Sequence, residues 1–134
     1  MIYVFPITIP ANTPETAQLK TILQLPRGKI TRMMVQFPSG HVGLTHIGLT
    51  RGLHQLYPSN PEARFSSSQE TITWDEDYPL DTPPLQLEAY TWNEDEIYDH
   101  TITVRVVLQE PKREASLLDE VKSLLGLGPE AQRA

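Results

Sequence analysis

The chain contains no cysteine. Disulfides, thiol nucleophiles and thiolate metal sites are therefore excluded. It is poor in basic residues, with 11 Lys and Arg against 17 Asp and Glu, for a formal net charge of −6. A protein whose main partner is nucleic acid needs clustered Lys and Arg to meet phosphates. Here they are scattered, and the closest grouping, Arg27, Lys29 and Arg32, reads as solvated strand edges. No window approaches the roughly 18 apolar residues of a membrane-spanning helix. The apolar start, MIYVFPITIP, has no positive region and is broken by Pro6 and Pro10, so it does not read as a signal peptide. There is no G-x-S-x-G, no phosphate loop, no G-x-G-x-x-G and no H-E-x-x-H. No internal repeat is visible, which argues against propellers and solenoids.

What is present fits one globular domain: 134 residues, 39% hydrophobic and 21% charged. A chain of this length buries roughly 68% of its unfolded surface, so it needs no metal or cross-link to fold. Twelve prolines with only three methionines would suit a heat-tolerant protein.

Period-two patterning dominates. Residues 2–9 are rich in Ile, Val, Thr and aromatics, with Pro6 placing them at a sheet edge or a bulge. Residues 19–25 put Leu19, Thr21, Leu23 and Leu25 on one face. Residues 29–37 alternate imperfectly, which predicts a bulge. Further strands are expected over 42–50, 53–57, 71–74 and 85–92. In 85–92, Leu85, Leu87, Ala89 and Thr91 oppose Gln86, Glu88, Tyr90 and Trp92. The clearest strand is 101–108, with Ile102, Val104, Val106 and Leu108 inward. Residues 58–69 read as a polar loop anchored by Phe65, and 75–84 and 93–99 as acidic loops. The expectation is an all-β fold, an antiparallel β-sandwich or jelly roll of about eight strands over residues 1–110.

Residues 111–134 differ. Pro111 ends the sheet pattern, Ser116 with Asp119 resembles a helix-starting capping box, and Leu117, Val121, Leu124 and Leu125 fall at helical spacing. A short C-terminal amphipathic helix is expected, including Leu118, stopped by Gly126 and Gly128-Pro129. About ten residues of helix are marginal alone in water, so this one must dock, either on its own domain or on a neighbour.

Four histidines, His41, His46, His54 and His100, show no metal-binding spacing. The runs Asp75-Glu76-Asp77 and Glu94-Asp95-Glu96 could hold Ca²⁺ through oxygen ligands, but neither matches an EF-hand loop, and solvated loop tips are the simpler reading. No catalytic residue, cofactor or metal is assigned, and an enzyme is not expected. Trp74, Tyr90 and Trp92 could form an aromatic platform for a sugar, or simply pack in the core.

One resemblance emerges between Pro38 and Leu108. Pro38-Ser39-Gly40 precedes a Gly-Leu strand, followed by Gln55-Leu56-Tyr57-Pro58, Ile72-Thr73-Trp74, Pro84-Leu85-Gln86-Leu87, Asn93, and His100-Thr101-Ile102 opening a Val-rich strand. This resembles the jelly-roll capsid auxiliary (decoration) proteins of tailed bacteriophages, over about half the chain. The resemblance implies a virion structural protein on the capsid surface, a homo-oligomer, expected as a trimer, that contacts a major capsid protein. It implies no nucleic-acid or membrane partner, and a cytoplasmic location before assembly. The candidate interface is Ile2, Val4, Phe5 and Ile7 of the first strand with Leu117, Leu118, Val121, Leu124 and Leu125 of the tail. The alternative is a carbohydrate-binding β-sandwich module that uses the aromatic platform. A cupin-like enzyme stands behind both, because the histidines do not match cupin spacing.

Overall fold

In a computed structural model, the chain is described over residues 1–39, 43–60 and 62–111. The expected tail helix, with Leu117, Leu118, Val121, Leu124 and Leu125, lies outside the described residues, as does His41. Eight strands follow in order: β1 (Ile2–Ile9), β2 (Leu19–Gln24), β3 (Gly28–Gln36), β4 (Thr45–Arg51), β5 (His54–Tyr57), β6 (Thr71–Leu80), β7 (Gln86–Asn93) and β8 (His100–Gln109). They form two four-stranded sheets, β1-β8-β3-β6 and β2-β7-β4-β5, with every pairing antiparallel.

The pairing is nested. The first strand meets the last, the second meets the seventh, the third meets the sixth, and the fourth closes on the fifth in a hairpin. This is one long hairpin rolled over on itself, the jelly-roll topology expected from the strand count. Alternating side chains of both sheets meet in the middle. Ile9, Leu23, Met33, Ile47, Leu87 and Val104 are fully buried there.

The imperfect alternation of β3 is a bulge. Its register shifts between Ile30 and Arg32 against both neighbours. The extra residue lets Ile30 and Met33, three apart, both reach the core, each 0% exposed.

Two expectations are corrected. The strand expected over 42–50 runs over Thr45–Arg51, because Gly43, at φ 75°, turns the chain just before it. The strand expected to stop at Trp74 continues to Leu80, so residues 75–80 are not loop. The residues that disguised it are typical of a sheet edge. Asp75 and Asp77 point outward and pair with Arg32 (2.9 Å) and Lys29 (3.2 Å) on β3, while Pro79 sits on a strand with a single neighbour.

The opposite edge is β1. Met1 and Leu108 exchange two hydrogen bonds, 2.7 and 2.9 Å. Counting along the register from that pair, Pro6 faces Thr103 in a non-hydrogen-bonded position. The nitrogen of Pro6 therefore points to the open edge, where its missing proton costs the ladder nothing.

Candidate functional site

Three places concentrate the residues singled out by the sequence. The first is the outer face of the sheet β1-β8-β3-β6. Alternation along β1 sends Ile2 and Val4 outward, where they are 60% and 52% exposed. It sends Phe5 and Ile7 inward, Ile7 buried and Phe5 packed against the core. The proposed interface strand is thus split, and only Ile2 and Val4 are available to a partner. Beside them in register stand Val107, then Arg32 and Asp75 in one row, and Arg105, Met34 and Thr73 in the next. Ile2, Met34 and Val107 share a shallow depression on this face with Arg32 and Asp75.

The second place is the outer face of the other sheet. His46 and Trp92 are cross-strand partners on β4 and β7, stacked with centroids 4.4 Å apart and planes 14° apart. Glu94 gathers both rings: its Oε2 lies 2.7 Å from His46 Nε2 and accepts from Trp92 Nε1 at 3.2 Å. Arg64 lies over the Trp92 ring at 5.8 Å and donates to Gln55 Oε1 and the Ala63 carbonyl. Gly48 makes room for it, since a Cβ there would meet Arg64 Cδ at 2.7 Å. Trp92 is consequently only 6% exposed. Tyr90 lies two residues back on the same strand, half-buried.

The third place is a cleft at the open side of the sandwich, where β6 is the edge of one sheet and β5 the edge of the other. Its volume is about 340 Å³, and it is lined by Tyr57, Pro58, Phe65, Ile72, Trp74 and Glu76. Ile72, Trp74 and Glu76 come from the inward face of β6. Phe65 is held by two backbone bonds to Ile47, 2.9 and 3.0 Å, as the anchor of its loop. Trp74 contacts Tyr57 and Phe65, both at 5.2 Å between centroids. The Tyr57 hydroxyl is buried beside Glu76 without a well-aligned hydrogen bond. Burial first, then the negative charge of Glu76, pushes its pKa above the ordinary phenol range, so the hydroxyl keeps its proton.

Trp74 therefore belongs to this cleft, whereas Trp92 and Tyr90 belong to the outer face of the opposite sheet. The three do not form one platform. The acidic runs are likewise tied down. Asp75 and Asp77 alternate with Glu76 across the strand, so their carboxylates cannot converge. In the second run, Asp95 Oδ1 accepts from the Ile97 and Tyr98 amides (2.9 and 3.2 Å), and its Oδ2 meets His100 Nε2 at 2.8 Å. The His100 bond first, then the Ile97 amide, lowers the Asp95 pKa from its ordinary value. Among the described residues, no group of three or more His, Asp or Glu side chains is placed to share a metal ion.

Sequence reading missed the cleft because its residues come from three separate segments. The available signal was the period-two set Ile72, Trp74, Glu76 and Tyr78, legible only once 71–80 is taken as a strand.

No protein-family model matches the chain, and no curated protein matches it. Among solved structures, it is similar to the Yersinia pseudotuberculosis-derived mitogen YPM, at 13% identity and a TM-score of 0.46, over 86% of this chain and 92% of that one. It is also similar to Fe(II) HppE, at 5% identity and a TM-score of 0.41, over 79% of this chain. The match spans less than half of HppE, 43%. Neither likeness carries an argument about function.

Proposed function

We propose that this jelly-roll domain is a non-enzymatic assembly subunit, a virion structural protein of the capsid-decoration kind that associates with copies of itself and with a capsid protein. One observation carries the reading: Ile2 and Val4 stand more than half exposed beside the half-buried Met34 and Val107, on an open sheet face next to an edge strand. Exposed apolar clusters of this kind mark association surfaces more often than isolated exposed side chains do. The edge itself is a poor template, because Pro6 withholds a donor midway along it. Association through the side chains of the face fits better than strand addition.

Size sets a limit. Four strands about 4.8 Å apart and about eight residues long present roughly 500 Å² in plan. A stable interface covers about 800 Å² per partner. The rest would come from segments beyond the sheet, and the apolar positions from Leu117 to Leu125 are the sequence's candidates.

The test is the mass of the full chain in solution by light scattering behind a sizing column, for wild type and for Ile2→Lys with Val4→Lys. Burying the exposed half of each side chain stabilises by about 1 kcal/mol, so the double variant should weaken association at least 30-fold. A stable trimer that dissociates in the variant supports the reading. A wild-type monomer at all concentrations, or a trimer indifferent to both lysines, overturns it.

A further inference from the structure

We propose that the cleft between β5 and β6 binds a small organic cation, an alkyl- or methylated ammonium group, held by Glu76 against the rings of Trp74, Tyr57 and Phe65. The inference is independent of the assembly reading and rests on different residues.

The argument begins with three consecutive acidic residues. A strand sends alternate side chains to opposite faces. Asp75 and Asp77 face outward, and each has a cation, Arg32 and Lys29. Glu76 faces the other way and makes no ion pair among the described residues; the groups beside it are neutral, the Asp77 amide at 3.2 Å and the Tyr57 hydroxyl. Arg51, which contacts Tyr78 two residues along the same face, is held by the Tyr78 hydroxyl (3.1 Å) and by the Thr82 and Pro84 carbonyls. The carboxylate left without a cation is thus the one that lines an aromatic cleft.

Aromatic faces carry negative potential and attract ammonium groups, more strongly when water is displaced. Trp74, Tyr57 and Phe65 provide such faces within one cluster, and Glu76 adds the opposite charge. The volume of about 340 Å³ lies at the lower end of the range for small-ligand sites, roughly 300–1,000 Å³. The Tyr57 hydroxyl lies buried against Glu76 at the cleft wall, so the carboxylate is flanked by a neutral group and not by a cation. A neutral sugar would use the rings, but would leave the charge of Glu76 unmatched.

The experiment titrates the full chain with three probes while following the indole resonance of Trp74 by NMR. The probes are choline, its neutral isostere 3,3-dimethylbutan-1-ol, and methyl α-glucopyranoside. Choline should bind saturably, the isostere at least 10-fold more weakly, and Glu76→Gln should weaken choline at least 10-fold while leaving the isostere unchanged. If Glu76→Gln does not fold, the comparison of choline with its isostere on the wild type still decides. Equal binding of choline and the isostere would reduce the cleft to an apolar pocket and overturn the proposal. Saturable binding of the sugar without choline, or of none of the three, would overturn it as well.

Discussion

Glu88 on β7 is a test of how a buried carboxylate is held with no cation paired to it among the described residues. It is 4% exposed. Its Oε1 accepts from the Thr50 hydroxyl and the Gly52 amide, both at 3.0 Å, and its Oε2 accepts from Gln86 Nε2 at 2.9 Å. These bonds bind the β4–β5 turn to the middle of its sheet. Truncation by Glu88→Ala removes the shared acceptor of the Gly52 amide, the Thr50 hydroxyl and the Gln86 amide, all of which can turn to water instead. A bond to a charged acceptor contributes about 1.5–3 kcal/mol. Against this stands the desolvation relieved when the carboxylate leaves. The expected net loss is about 2 kcal/mol. In urea, at a slope of about 2 kcal/mol per molar, the midpoint should fall by about 1 M with the slope unchanged. Glu88→Gln keeps one acceptor and should fall about half as far. A midpoint that does not move, or rises, in Glu88→Ala would refute the reasoning, since desolvation would then outweigh all three bonds.

Two further predictions follow from the same kind of reading. Gly28→Ala should destabilise by about 1–3 kcal/mol in a urea titration, because its Cβ would sit 2.7 Å from the Gln109 carbonyl oxygen and 2.9 Å from Leu108 Cγ, and backbone cannot retreat as a side chain can; Gly52→Ala, at φ 64° in open space, should cost only about 1 kcal/mol of backbone strain. The lowered pKa of Asp95 means that its contribution to stability is present above pH 3.8, its ordinary value, and fades as pH falls below that towards the folded value. Stability measured against pH should therefore show Asp95→Asn less stable than wild type at pH 6, with the two curves converging in acid; a constant gap down to pH 2 would refute the assignment.

Much of the fold was legible in the sequence. β8 and β2 show clean alternation because one face of each is buried and the other is wet. The broken alternation of β3 marked its bulge. The end of β6 was not legible, because Asp75, Asp77 and Pro79 are residues that favour loops, and only their partners on β3 show that they edge a sheet. The pairing of β1 with β8 could not be read at all, since nothing local to either strand names the other. The same holds for the sites. Alternation put Tyr90 and Trp92 opposite Leu87, as observed. That Arg64 would cover Trp92, or that Tyr57 and Phe65 would join Trp74, depends on where a distant loop comes to rest.

The nested pairing also sets a timetable. β1 precedes β2 to β7, yet its partner in the sheet among the described residues is β8, whose residues are made more than ninety positions later. At about 5–20 residues per second, a growing chain carries Ile2–Ile9 unpaired for roughly 5–20 seconds. Among the described residues, only the β4–β5 hairpin joins strands that are neighbours in sequence, and the other pairings close larger loops, a topology that folds slowly for a domain of this size. Ile2 and Val4 thus wait for their partner strand while the intervening residues are made, and Pro6, set midway along the strand, interrupts foreign pairing in that interval.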